Sequence, residues 1–173
     1  MILPAFTPET AAARFPAALS LALAFRAVCR LWQRYRRARW ARGMADLSRL
    51  RSLSPAEFEA YTAAVFERRG WRVEIVGREG RADGGIDLML SKDRRRVVVQ
   101  CKRYAARVGA PVVRETVGVM VHHRAHGAFV VALSGFTRAA QDWAKGKPVR
   151  LIDGNQLLRV MRENLTVNRH PCE

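Results

Sequence analysis

Apolar positions first recur at helical spacing in SLSPAEFEAYTAAVFERRGW, where Phe58, Tyr61, Val65 and Phe66 share one side of a 3.6-residue repeat. Ser54 followed by Pro55 reads as an N-cap and first helical residue, and Ser54-x-x-Glu57 is a capping box. Gly70 suits the left-handed position just past a helix end. The period then drops to two in WRVEIVG (Trp71–Gly77), which predicts a strand. REGRADGG reads as a loop, IDLML (Ile86–Leu90) as a second strand, SKDRRR as a turn and VVVQCKRY (Val97–Tyr104) as a third strand. The short connection makes the last two antiparallel. A helix follows in APVVRETVGVMVHHRAHG, with Val112, Val113, Val117, Met120 and Val121 apolar. AFVVAL (Ala128–Leu133) has no alternation, as expected for a strand covered on both faces. A short helix that Thr137 can cap, a strand at VRLID and a closing helix at GNQLLRVMREN complete an αβββαβαβα order. The predicted fold is α/β, a mixed central sheet flanked by helices, over residues 46–165, with a tail at 166–173.

The 173 residues suit one domain with an appendage, and 49% hydrophobic residues suffice for a core. Charge changes the picture more. Lys and Arg total 31 against 15 Asp and Glu, a net charge of +16, which calls for a polyanionic partner: DNA first, an anionic membrane surface second. Cys29, Cys101 and Cys172 are scattered and show no CxxC spacing, which argues against disulfides and zinc and for a reducing, cytoplasmic setting.

Residues 1–45 form a distinct helical extension. FPAALSLALAF (Phe15–Phe25) is apolar and RAVCRLWQRYRRARWAR (Arg26–Arg42) is basic. The apolar run falls short of the roughly 20 residues that cross a bilayer, and Arg26 and Arg30 interrupt any lengthening. A cleaved leader carries its positive charge before the apolar core, whereas here it follows. Two readings stay open: a loosely packed extension preceding Met44, and a helix lying on a membrane surface.

The chemistry concentrates in the second hairpin. Gln100 and Lys102 project from one face of their strand, Val99 and Cys101 from the other. A turn centred between Asp93 and Arg94 sets Asp87 opposite Gln100. A slip of one residue would move Asp87 to the other face. The patch then holds a carboxylate, an amide and an ammonium. That mix suits phosphodiester cleavage with a hard cation, Mg²⁺ or Mn²⁺, bound by oxygen. Asp87 is the central ligand in this reading. Gln100 supplies an oxygen or orients a water, and the Cys101 backbone carbonyl supplies another oxygen. Lys102 either helps deprotonate the attacking water or stabilises phosphate charge.

GGIDL followed by VVVQCKRY, preceded by EFEAYTAAVFERRGW and followed by VALSGFTRAAQDWA, resembles the Mrr-like restriction endonuclease family, within the PD-(D/E)xK nuclease superfamily in its QxK variant. The resemblance covers about residues 52–160. It implies a restriction-endonuclease-like fold and metal-dependent DNA cleavage, often of modified DNA, with Asp87, Gln100 and Lys102 at the catalytic positions. It also implies an acid from the first helix. Glu57 and Glu59 compete for that role. Glu57 already has work in the capping box, and Glu59 follows Phe58 as in the family's opening helix, so Glu59 is the choice as catalytic and metal residue.

Other residues carry weaker readings. Arg94, Arg95 and Arg96 form a basic turn expected near the site, and with Arg103, Arg107, Lys145 and Lys147 are expected to contact backbone phosphates. The His122/His126 pair has zinc spacing on a helix but no third ligand, and reads as a polar helix end. Ser134 and Thr137 read as caps. Two alternatives accompany the endonuclease: a structure-selective nuclease resembling Holliday-junction resolvases, and a non-catalytic DNA-binding module. One site per chain would favour a homodimer for double-strand cleavage.

Overall fold

The computed structural model describes residues 14–43, 46–76 and 85–162. The expected tail at 166–173 and the loop residues Asp83 and Gly84 lie outside them. The chain divides into two compact units between Arg36 and Arg37. The first unit's described part is the front of helix α1 (Arg14–Arg42). It leaves Leu19, Leu21, Leu23, Phe25, Val28, Leu31, Trp32 and Tyr35 exposed, with the Arg36 guanidinium 4.7 Å from the Trp32 ring centre. No described helix is long and apolar enough to cross a membrane.

The second unit starts inside the same helix, earlier than the boundary expected near residue 45. The reason is packing: Ala41 is fully buried, Trp40 meets Tyr61 edge-on at 6.4 Å and Arg37 pairs with Glu67 at 3.6 Å. Helix α2 (Leu47–Ser52) and helix α3 (Pro55–Arg68) follow. The α3 start has the anticipated capping box, with Ser54 N–H donating to Glu57 at 2.7 Å and Glu57 N–H to Ser54 Oγ at 3.3 Å. Gly70 takes φ +81° after the α3 end.

The sheet comprises β1 (Arg72–Ile75), β2 (Leu88–Lys92), β3 (Arg95–Lys102), β4 (Gly127–Ala132) and β5 (Val149–Asp153), in that spatial order. The first three strands pair antiparallel and the last three parallel, so the sheet is mixed as expected. Helix α4 (Ala110–His122) and helix α5 (Arg138–Ala144) cover one face. Helices α3 and α6 (Gly154–Arg162) cover the other. Alternation along β3 divides its side chains between two cores. Val97, Val99 and Cys101 meet Phe58, Tyr61 and Phe66, while Val98 meets Val113 and Met120. In α4 the buried stripe is Val113, Thr116 and Met120, and Val121, expected among the apolar contacts, is exposed. It sits about 100° round the helix from Met120 and off the stripe.

The β2–β3 turn centres on Asp93 and Arg94, as the pattern required, and both residues have positive φ (48° and 64°). That left-handed pair matches the twist of a two-residue hairpin and favours Asn-Gly over Asp-Arg. Replacing Asp93→Asn with Arg94→Gly should therefore stabilise the protein by about 1 kcal/mol, read as a raised urea midpoint with an unchanged slope.

Candidate active site

Glu59, Cys101 and Lys102 converge where β3 ends and α3 begins, whereas Gln100, expected to project with Lys102, turns instead to the α4 face. A cavity there is lined by Pro55, Phe58, Glu59, Cys101, Lys102, Arg103 and Tyr104. Glu59 is on the first turns of α3, just past the buried anchor Phe58, so the packing that fixes Phe58 also fixes the direction of Glu59. Lys102 closes β3, half-buried, with its ammonium 5.5 Å from the Tyr104 ring centre.

Asp87 precedes β2 by one residue. The ladder register places Leu88 against Val99, which carried one step further would set Asp87 against Gln100. Its amide departs from that register and donates to the Val99 carbonyl at 3.0 Å, one residue off. Gly85, at φ +80°, precedes this irregular start. The Asp87 carboxylate turns over the strand end and accepts the Cys101 N–H at 2.6 Å. Expected opposite Gln100, it is instead anchored beside Cys101 and within the field of Glu59 and Lys102.

The electrostatics of this corner describe a charge problem. Burial, and then the Asp87 charge, push the Glu59 carboxyl up to about 7. Burial also raises Asp87, against the opposing pull of the Cys101 N–H and the Lys102 ammonium. Two carboxyl groups in one partly desolvated corner cannot both ionise cheaply without a cation. A divalent ion reverses that cost. The donor set at this corner fits a hard cation that keeps some of its water: two carboxylates, with a backbone carbonyl alongside. Among the described residues no three His, Cys, Asp or Glu side chains group as a metal cage. Cys101 contributes no thiolate, since burial holds its thiol well above the usual range.

Gln100 is buried at 3% exposure on the α4 face, where its amide lies 2.6 Å from the Thr116 hydroxyl. Thr116 is equally buried and was not a sequence candidate. Its signal was available: it is the one polar position in the Val113–Met120 stripe.

The expected phosphate-contacting residues do not gather here. Arg94, Arg95 and Arg96 were expected beside the site. They occupy the opposite end of the hairpin, about 20 Å away at the usual rise per residue. Lys145 and Lys147 precede β5, which starts at that same far end because it runs parallel to β3 and β4. Lys145 pairs with Asp142 at 2.7 Å, and Lys147 donates to the Trp143 carbonyl at 2.7 Å over the ring. Arg103 does line the cavity, but its guanidinium donates to the Arg51 and Leu53 carbonyls and so braces the α2–α3 connection. Arg107 is exposed in the loop after Lys102. His126 Nδ1 accepts the Arg96 N–H at 3.1 Å, and His122 meets His123 edge-on at 5.1 Å. Thr137 caps α5, and Ser134 bonds the Ala106 carbonyl.

Comparison with known proteins identifies the family and the fold. The Mrr_cat family, described as restriction endonuclease, matches residues 50–161. The type IV methyl-directed restriction enzyme EcoKMrr of Escherichia coli (strain K12) is 34% identical over 125 residues, 68% of this chain and 41% of that enzyme. The chain thus spans well under half the length of that relative. Among solved structures, the DNA modification-dependent restriction endonuclease AspBHI superposes with a TM-score of 0.53 at 20% identity, over 70% of this chain and 35% of that one. This supports the restriction-endonuclease-like fold.

The Glu59 environment has a measurable consequence. A carboxyl raised from 4.5 to about 7 binds its proton more tightly in the folded state. Its stabilising contribution is complete below the unfolded value and lost as pH rises through the folded one. Metal-free protein should therefore melt at a lower temperature at about pH 8 than at about pH 5. Glu59→Gln should flatten that part of the dependence and raise the melting temperature at the higher pH.

Proposed function

Because the chain belongs to the Mrr_cat family of restriction endonucleases, we propose that its second unit is a DNA endonuclease that hydrolyses phosphodiester bonds with a bound Mg²⁺ or Mn²⁺. The observation that carries this reading is the meeting of Glu59 and Asp87 in one partly buried corner, where burial and the Asp87 charge raise the Glu59 carboxyl, beside the Lys102 ammonium. Glu59, Asp87 and the Cys101 carbonyl would hold the cation, which supplies charge neutralisation at the scissile phosphate. Gln100, bonded to Thr116 on the α4 face, would supply an amide oxygen to the cation or to its water. Lys102 stands beside Asp87, where its ammonium can hold the attacking water or bind a phosphate oxygen. The Cys101 N–H keeps Asp87 aimed and ionisable. Net charge of +16 supplies general attraction to the DNA backbone.

The methyl-directed activity named for the Escherichia coli relative makes methylated duplex the first substrate to offer. Purified protein should cut it with Mg²⁺ or Mn²⁺ and stop with EDTA. Asp87→Ala, Glu59→Ala and Lys102→Ala should each lower the rate by at least about a hundredfold. Undiminished cleavage by Asp87→Ala would refute the site. Preferential cutting of four-way junctions would move the protein to the resolvase reading. DNA retention with no cutting of any substrate would leave a binding module.

We also propose that the first unit lies on an anionic lipid surface. Arg26, Arg30 and Arg34 recur every four residues along one side of α1. On the opposite side Leu21, Phe25, Val28, Trp32 and Tyr35 are exposed, an apolar row with aromatic ends suited to the headgroup boundary. The full chain should float with vesicles rich in phosphatidylglycerol and not with phosphatidylcholine alone. Phe25→Ser with Trp32→Ser should abolish flotation without altering DNA cleavage. Absence of binding to both vesicle types would end this assignment.

A further inference from the structure

Thr116 poses a proton-counting problem. Its hydroxyl lies 2.8 Å from the Val112 carbonyl and 2.6 Å from Gln100 Oε1, both acceptors as oriented. A hydroxyl has one proton and cannot donate to both. The Val112 carbonyl can only accept, and a bond from a helical threonine to the carbonyl four residues back is the ordinary local choice. The Gln100 atom facing Thr116 must then be a donor, which in an amide means the NH₂. The two ends of a carboxamide have the same shape, so a half-turn about the last side-chain bond resolves the proton count at Thr116.

That half-turn changes what the site is offered. The end of the amide away from Thr116 lies toward Gly85, at 3.4 Å from where a Gly85 Cβ would stand, two residues before Asp87. Only a glycine leaves that approach open, and its φ of +80° suits no larger residue. With the NH₂ held by Thr116, it is the oxygen that faces this opening. The exposed Glu115 carboxylate borders the same opening, 3.5 Å from the same point. An oxygen-lined opening suits a cation or the water it carries.

We propose that Thr116 is a positioning residue: by taking the Gln100 NH₂ it turns the amide oxygen toward the opening between Gly85 and Glu115, where a divalent cation or its water would find an acceptor. This rests on the nuclease reading above, and it assigns Gln100 one orientation that the sequence left open. Residues that orient a metal's ligands typically change affinity tenfold or more when removed.

Calorimetric binding of Mn²⁺ to the full chain without DNA tests the assignment. Thr116→Val should weaken binding about tenfold, and Thr116→Ser, which keeps the hydroxyl, should stay within about twofold of the parent. In a Gln100→Glu background both side-chain ends are oxygens, so adding Thr116→Val should cost little. An equal loss in both backgrounds would reduce Thr116 to packing and overturn the proposal. So would parent-like binding by folded Thr116→Val.

A second measurement needs no variant. In the unaltered protein the Gln100 NH₂ protons should show nuclear Overhauser contacts to the Thr116 methyl group. Contacts to the Gly85 α-protons instead would overturn the orientation. Parent-like metal binding by Asp87→Asn would count against the nuclease site itself, while the nuclear Overhauser contacts would still decide the orientation.

Discussion

A strand covered by helices on both faces must satisfy every polar group it carries, because water is not there to do so. Strand β3 is such a strand, and its last residues are polar. Each is dealt with differently. Gln100 goes to the Thr116 hydroxyl on one face. The Cys101 N–H, left without a regular partner where β2 begins late, goes to the Asp87 carboxylate. Lys102 reaches the rim, where its charge faces Tyr104 and acts on Asp87. Glu59 forms no ion pair among the described residues, and burial together with the Asp87 charge pushes its carboxyl up to about 7. The candidate site is the place where the core stops being able to satisfy its own polar atoms.

The same strand explains why affinity and chemistry separate in space. Parallel pairing of β3, β4 and β5 aligns their starts at one end of the sheet and their finishes at the other. The finish carries Lys102, Arg103 and Arg107, and the opposite end carries Arg94, Arg95, Arg96, Lys145 and Lys147. Under the proposed nuclease reading, a basic surface at the far end would add to long-range attraction for DNA without touching the reacting phosphate. The basic excess is therefore a property of the whole unit, and only a small part of it sits at the site.

Much of this was legible before any coordinates, for local reasons. The capping box at Ser54 and Glu57, the apolar α3 stripe, the left-handed Gly70 and the hairpin centred on Asp93 and Arg94 each depend on a few neighbouring residues. The family resemblance rested on short blocks of this kind and agrees with the match over residues 50–161. By itself the sequence determined the order of elements, the two-sided burial of β3 and β4, and the short list from which the site residues are drawn.

Tertiary structure decided the rest, because it turns on contacts between residues far apart in the chain. The Asp87 charge raises the Glu59 carboxyl only once α3 is packed over the end of β3. The one-residue slip at Asp87 arises where pairing starts, which a strand pattern cannot register. Thr116 acquires meaning only when α4 lies on the face that Gln100 occupies. The arginine turn, near Asp87 in sequence, ends up far from it because a hairpin carries its turn and its open end to opposite edges of the sheet.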